Sequence, residues 1–98
     1  MSGTGCEGLA PRLLPWRGSE GKPCYVVGDG TGYVSRLADE TECVQLAMAG
    51  ALLGHAAELL AGRDVSHGEL RYLARCLAES LRDVSRVAES RGARHRRQ

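Results

Sequence analysis

The chain has 98 residues, a formal net charge of +1 and 43% hydrophobic side chains. That length excludes more than one small domain, and a core this small seldom supplies more than about 3–5 kcal/mol alone. Oligomerisation, a metal or a partner is therefore expected to complete the fold.

Phe and Ile are absent, so a core must be built from Leu, Val and Ala, which lets helices approach closely. Charge is placed unevenly. Residues 1–68 carry five basic and eight acidic side chains, whereas residues 69–98 carry eight arginines and four acids. The asymmetry predicts a basic face near the C-terminal end.

Residues 1–22 hold five glycines and two prolines and lack regular periodicity, which predicts a flexible arm. Within it, LAPRLLPWRG at 9–18 clusters Leu13, Leu14 and Trp16. Such a cluster either docks on a partner or straps the protein's own core. Pro and Arg interrupt it, so it does not read as a secretory signal.

The main domain is expected at 23–92, followed by a basic tail at 93–98. Residues 24–27 and 33–35 are short β-favouring runs around Asp29-Gly30, a preferred hairpin turn. That register sets Val26 opposite Tyr33 and Tyr25 opposite Val34. The glycines at 28, 30 and 32 invite comparison with a nucleotide loop. The dinucleotide fingerprint needs a glycine at the sixth position and a helix opening at the loop. Tyr33 stands there, a second strand is expected to follow, and no Gly-Lys-Ser/Thr ending occurs.

Asp39 with Glu42 predicts the start of a first helix, running to Ala61 and stopped by Gly62. A capping box at Ser66 and Glu69 opens a second helix, expected to end near Arg91–Gly92. The short connection makes the pair an antiparallel helical hairpin. The fold class is thus mainly α, a short β-hairpin followed by a long two-helix hairpin.

On the second helix, Leu70, Leu73, Leu77, Leu81, Val84 and Ala88 form an apolar seam. The first helix is apolar around most of its circumference, with only a strip of Gln45, Ala49, Ala56 and Arg63 suited to solvent. Small residues Ala47, Gly50, Gly54, Ala57 and Ala61 line one stripe, with Leu46, Leu53 and Leu60 beside it at intervals of seven. A helix of this kind must be covered on more than one side. These eight residues are the expected homodimer interface, giving a four-helix arrangement.

Arg71, Arg75, Arg82 and Arg86 share the opposite side of the second helix and lead to Arg94, Arg96 and Arg97. They are the candidate contacts for nucleic-acid phosphates. Glu79, Asp83 and Glu89 beside them also suit a solvated face laced with Arg75–Glu79 and Asp83–Arg86 pairs. His55-Ala-Ala-Glu58 reverses the order of the di-iron motif. The four cysteines lack metal-ligand spacing, and no nucleophile–base pairing is evident. No cofactor and no enzymatic activity are expected. The longest apolar run, 44–57, is broken by Gln45 and His55 and reads as too short for a bilayer.

PCYVVGDGTGYVSRLADETE at 23–42 and LAESLRDVSRVAESRGAR at 77–94 resemble small proteins of high-GC actinobacteria that carry no assigned activity. The likeness implies a bacterial, cytoplasmic protein and brings no catalytic or binding motif with it. The expectation is a non-enzymatic interaction or regulatory protein whose partners are itself and another protein. Nucleic-acid association is the second reading.

Overall fold

The computed structural model describes residues 11–28, 30–62 and 64–96. Strand β1 (Arg12–Arg17) pairs antiparallel with β2 (Pro23–Val26), and two long helices follow, α1 (Tyr33–Ala61) and α2 (His67–Arg96). The molecule is mainly helical and elongated, 64 × 28 × 22 Å.

The hairpin uses a different partner from the one expected. Leu13 lies opposite Tyr25 and Arg12 opposite Val26. The turn is Gly18–Lys22, where the Gly18 amide donates to the Lys22 carbonyl at 2.7 Å. Glu20 and Gly21 turn the chain at φ +58° and +74°. Pro15 interrupts the ladder where a proline has no N–H to give, and the register slips between Leu13 and Arg17. The expected arm is corrected accordingly: residues 12–17 form a strand, while residues 1–10 lie outside the described residues.

The expected second strand at 33–35 is instead the first turn of α1. Gly30 takes φ +87°, the chain enters the helix through Gly32, and the Arg36 amide bonds the Gly32 carbonyl at 3.0 Å. Arg36 also donates through Nη1 to the Thr31 carbonyl at 2.8 Å, which fastens the loop to the helix. Asp39 does not cap, because the helix already begins at Tyr33 with Gly32 at the cap position; its carboxylate instead pairs with Arg12.

Gly62 ends α1 as expected. The Ser66–Glu69 capping box forms in both directions, at 3.0 and 3.1 Å. Helix α2 passes Gly92 and continues to Arg96, with Arg94 bonded back to Ser90 Oγ one turn earlier. The residues expected as the start of a tail, 93–96, are therefore helical, whereas Arg97 lies outside the described residues.

The helix faces differ from the expected ones too. Ala56 is buried and Gln45 and Ala49 are half-buried, so these three residues of the strip assigned to solvent lie on the side of α1 turned to the interior, whereas Arg63 lies outside the described residues. On α2, Leu73 and Val87 are buried, but Leu70, Leu81 and Ala88 are exposed. The seam is rotated toward Cys76, Ser80 and Ser90. Cys76 and Ser80 line the groove shared with α1. Among the described residues the buried apolar core is small: Leu13, Leu14, Ala38, Ala56, Leu73 and Val87, with Pro15 beside them.

Of the 29 residues of α1, only Ser35, Ala38, Glu42 and Ala56 are buried. The helix contains an 18-residue window of mean hydropathy 1.4, long and apolar enough by length and composition to cross a bilayer. The expectation of too short a run counted only the residues from Val44 to Ala57, whereas the helix itself is twice that length.

Candidate functional site

Three surfaces carry the residues singled out by sequence. The first is the docked segment of β1, where Leu13, Leu14 and Pro15 are buried and Trp16 is half-buried. Of the two roles open to this cluster, Leu13 and Leu14 take that of a strap over the protein's own core. Polar bonds hold the strap at both ends. Gln45 Nε2 donates to the Pro15 carbonyl at 2.8 Å, and Arg86 Nη1 donates to the same oxygen at 3.3 Å. Arg12 reaches the Ser35 carbonyl at 3.1 Å, Asp39 at 2.7 Å and Glu42 at 3.2 Å.

Glu42 is the centre of this network. Its side chain is 1% exposed and meets Arg12 through Oε2, and Arg91 and Arg94 through Oε1 at 3.4 and 3.7 Å. One carboxylate thus ties β1 to both helices. A buried charge is tolerable only with such partners, and three guanidinium groups supply them. Arg12 Nε and Gln45 Oε1 are the two buried side-chain atoms without a hydrogen-bond partner among the described residues. The sequence reading missed the cluster, since Glu42 appeared only as a capping partner of Asp39. Its signal was a carboxylate on the apolar side of a helix.

The second surface is the arginine side of α2, and the structure divides it. Arg71, Arg75 and Arg82 are exposed. Arg86 is held by Asp83 at 3.3 Å and by the Pro15 carbonyl, and Arg94 by Ser90 and Glu42. The Asp83–Arg86 pair forms as expected, but no Arg75–Glu79 pair lies within ion-pair distance. Arg96 closes the helix, and Arg97 falls outside the described residues.

The third surface is the helical hairpin away from the strap. Ala47, Gly50, Gly54, Ala57 and Ala61 are all exposed, and a Cβ added at Gly50 or Gly54 would meet nothing within 4 Å. Leu53 and Leu60 are 67% and 71% exposed, and Leu46 is half-buried. One side of the hairpin holds a groove of about 450 Å³, where Met48, Leu52 and His55 stand across from Cys76, Glu79 and Asp83. At about 100° per residue, Leu46, Leu53 and Leu60 turn to the other side of α1, and Leu70, Leu77 and Val84 turn to that same side of α2. The grooves set residues 45–55 of α1 against 76–83 of α2, and His55 and Leu59 against 68–73, an antiparallel arrangement that brings Leu46 near the level of Val84, Leu53 near Leu77 and Leu60 near Leu70. No charged side chain interrupts those six positions.

The glycine loop also changes its setting. A strand does precede it and a helix does open at it, which removes one of the grounds for reading it as a turn of a hairpin. The sixth position remains Tyr33 and the lysine remains absent. Cys24, Cys43 and Cys76 are free thiols, and no group of three or more metal-ligating side chains occurs among the described residues. Hydrogen bonding to Cys76, with a smaller Coulombic contribution from the same residue, raises the Tyr72 phenol above its ordinary value. Comparison with known proteins brings no match from any family model, curated sequence or solved structure.

Proposed function

We propose that this is a non-enzymatic interaction protein that works as a homodimer, joined through the leucine side of its helical hairpin. The observation that carries the reading is the ladder Leu46/Val84, Leu53/Leu77 and Leu60/Leu70, in which Leu53, Leu60 and Leu70 are exposed and Leu46, Leu77 and Val84 are half-buried. From Leu46 to Leu60 a helix rises about 21 Å, and two helices side by side measure about 20 Å across. That is a patch of about 400 Å² before side-chain relief, at the size where exposed apolar surface marks an interaction site.

A second copy suits this patch because the ladder runs with the same spacing on two antiparallel helices. A two-fold rotation brings such a face onto itself layer by layer, the geometry of an isologous interface. Ala57 and Gly50 on one flank and Ala74 on the other are small enough to let the leucines interdigitate. The interface expected from sequence keeps Leu46, Leu53 and Leu60 in this arrangement. The stripe of Ala47, Gly54 and Ala61 moves toward its rim.

Light scattering of the full chain at micromolar concentration tests the reading, with about two chain masses expected. Leu53→Glu should return the mass to one chain. A monomeric wild type, or flotation of the chain with phospholipid vesicles in place of dimerisation, would overturn it. The second reading, phosphate contact through Arg71, Arg75 and Arg82, is supported by their exposure. It predicts salt-sensitive retention on DNA.

A further inference from the structure

A separate groove of about 540 Å³ lies between the β-hairpin and the outer side of α2. Its floor is apolar. Leu13 and Tyr25 face each other across the two strands, and Leu81 approaches from the helix. Tyr25 and Leu81 nevertheless remain 57% and 66% exposed, so the sheet and the helix leave the space between them unfilled.

Arginine surrounds this floor. Arg17 at the end of β1 and Arg82 on α2 both line the groove, and neither guanidinium makes an ion pair or hydrogen bond among the described residues. Arg86 lines it as well, but Asp83 and the Pro15 carbonyl already engage it. Glu89 is the one acid in the lining.

We infer that this groove receives an acidic peptide segment of another protein, seating an apolar side chain between Tyr25 and Leu81 and carboxylates on Arg17 and Arg82. Charge complementarity fixes the chemistry of the occupant. A planar guanidinium with free donors pairs with carboxylates in two-point fashion, whereas the floor offers an apolar side chain a place out of water. Nucleic acid fits less well, because the aliphatic side chains of Leu13 and Leu81 cannot hydrogen-bond base edges. The inference does not rest on dimerisation: both arginines lie off the leucine ladder, and Leu81 borders it one turn from Leu77.

Fluorescence anisotropy with the full chain and a short labelled peptide of alternating Glu and Leu provides the test. Saturable binding is expected, weakened about tenfold or more by Arg82→Glu and by Arg17→Glu, with Arg75→Glu outside the groove leaving it intact. Circular dichroism of each variant separates loss of binding from loss of fold. A matched peptide of Glu and Ser should bind far more weakly. The proposal is overturned if that peptide binds equally well, if Arg75→Glu weakens binding as much as Arg82→Glu, or if neither peptide binds. A single-stranded oligonucleotide binding in place of the Glu–Leu peptide would also overturn it.

Discussion

Arg12 Nη2 and Glu42 Oε2 stand 3.2 Å apart, joining residues thirty positions distant in the chain. The pair is well enclosed, with side-chain exposures of 10% and 1%. Arg91 and Arg94 complete the environment of the carboxylate from α2. Removing the acid from such a site leaves guanidinium groups crowded without a counter-charge. Glu42→Ala should therefore destabilise the chain by about 3–5 kcal/mol. Joint replacement of Arg12 and Glu42 by methionine should cost less than the sum of the single changes, a coupling that urea unfolding of the four-member cycle would measure.

Leu14 tests whether the docked strand is part of the core. It is 5% exposed, so Leu14→Ala should cost about 2–5 kcal/mol. Trp16 is only half-buried, and Trp16→Ala should cost less despite removing more atoms. Reversal of that order in chemical denaturation would show that the strand is anchored at Trp16 instead.

The parts of the fold legible in the sequence were those set by local chemistry. Ser66 and Glu69 announce a helix start because both partners of the cap lie within one turn, and Gly62 announces a stop. The hairpin was misplaced because its evidence was ambiguous between neighbours. Pro15 argued against a strand, while Asp29-Gly30 offered a better two-residue turn than Gly18-Ser-Glu-Gly-Lys. The long-range bonds of Pro15 to Gln45 and Arg86, which make a proline strand tolerable, leave no local trace. The faces of α1 were misread for a related reason. Apolar residues surround this helix, so periodicity alone could not say that the side holding Gln45 and Ala56 would turn inward. The leucine interval of seven was visible, but which side of the hairpin it shares with α2 required the register.

Two glycines make opposite predictions under the same substitution. A Cβ at Gly18 would come within 2.8 Å of Cys24 Sγ, closer than real Cβ atoms approach. Gly18→Ala should therefore lower the unfolding midpoint, with relief from a second change, Cys24→Ala. Gly54 sits mid-helix with open space around it, and Gly54→Ala should raise stability by about 0.5–1 kcal/mol through helix propensity. If the two copies instead crossed tightly at Gly54, that substitution would weaken the dimer in light scattering.

The N-terminus of α2 should respond to acid through Glu69. The Ser66 amide and hydroxyl bond its carboxylate and, with a smaller effect from His55, hold it below its ordinary value near 4.5. A carboxyl depressed by folding contributes its stabilisation above the unfolded value and loses it as pH falls through the folded one. Amide protection at residues 69–70, taken relative to the intrinsic exchange rate at each pH, should accordingly fall in acid, below the ordinary carboxylate range. Glu69→Gln retains an acceptor for the Ser66 amide but removes the titration, so its protection there should lack that acid step. A wild-type profile equally without the step would show that the capping box contributes nothing to the helix end in solution.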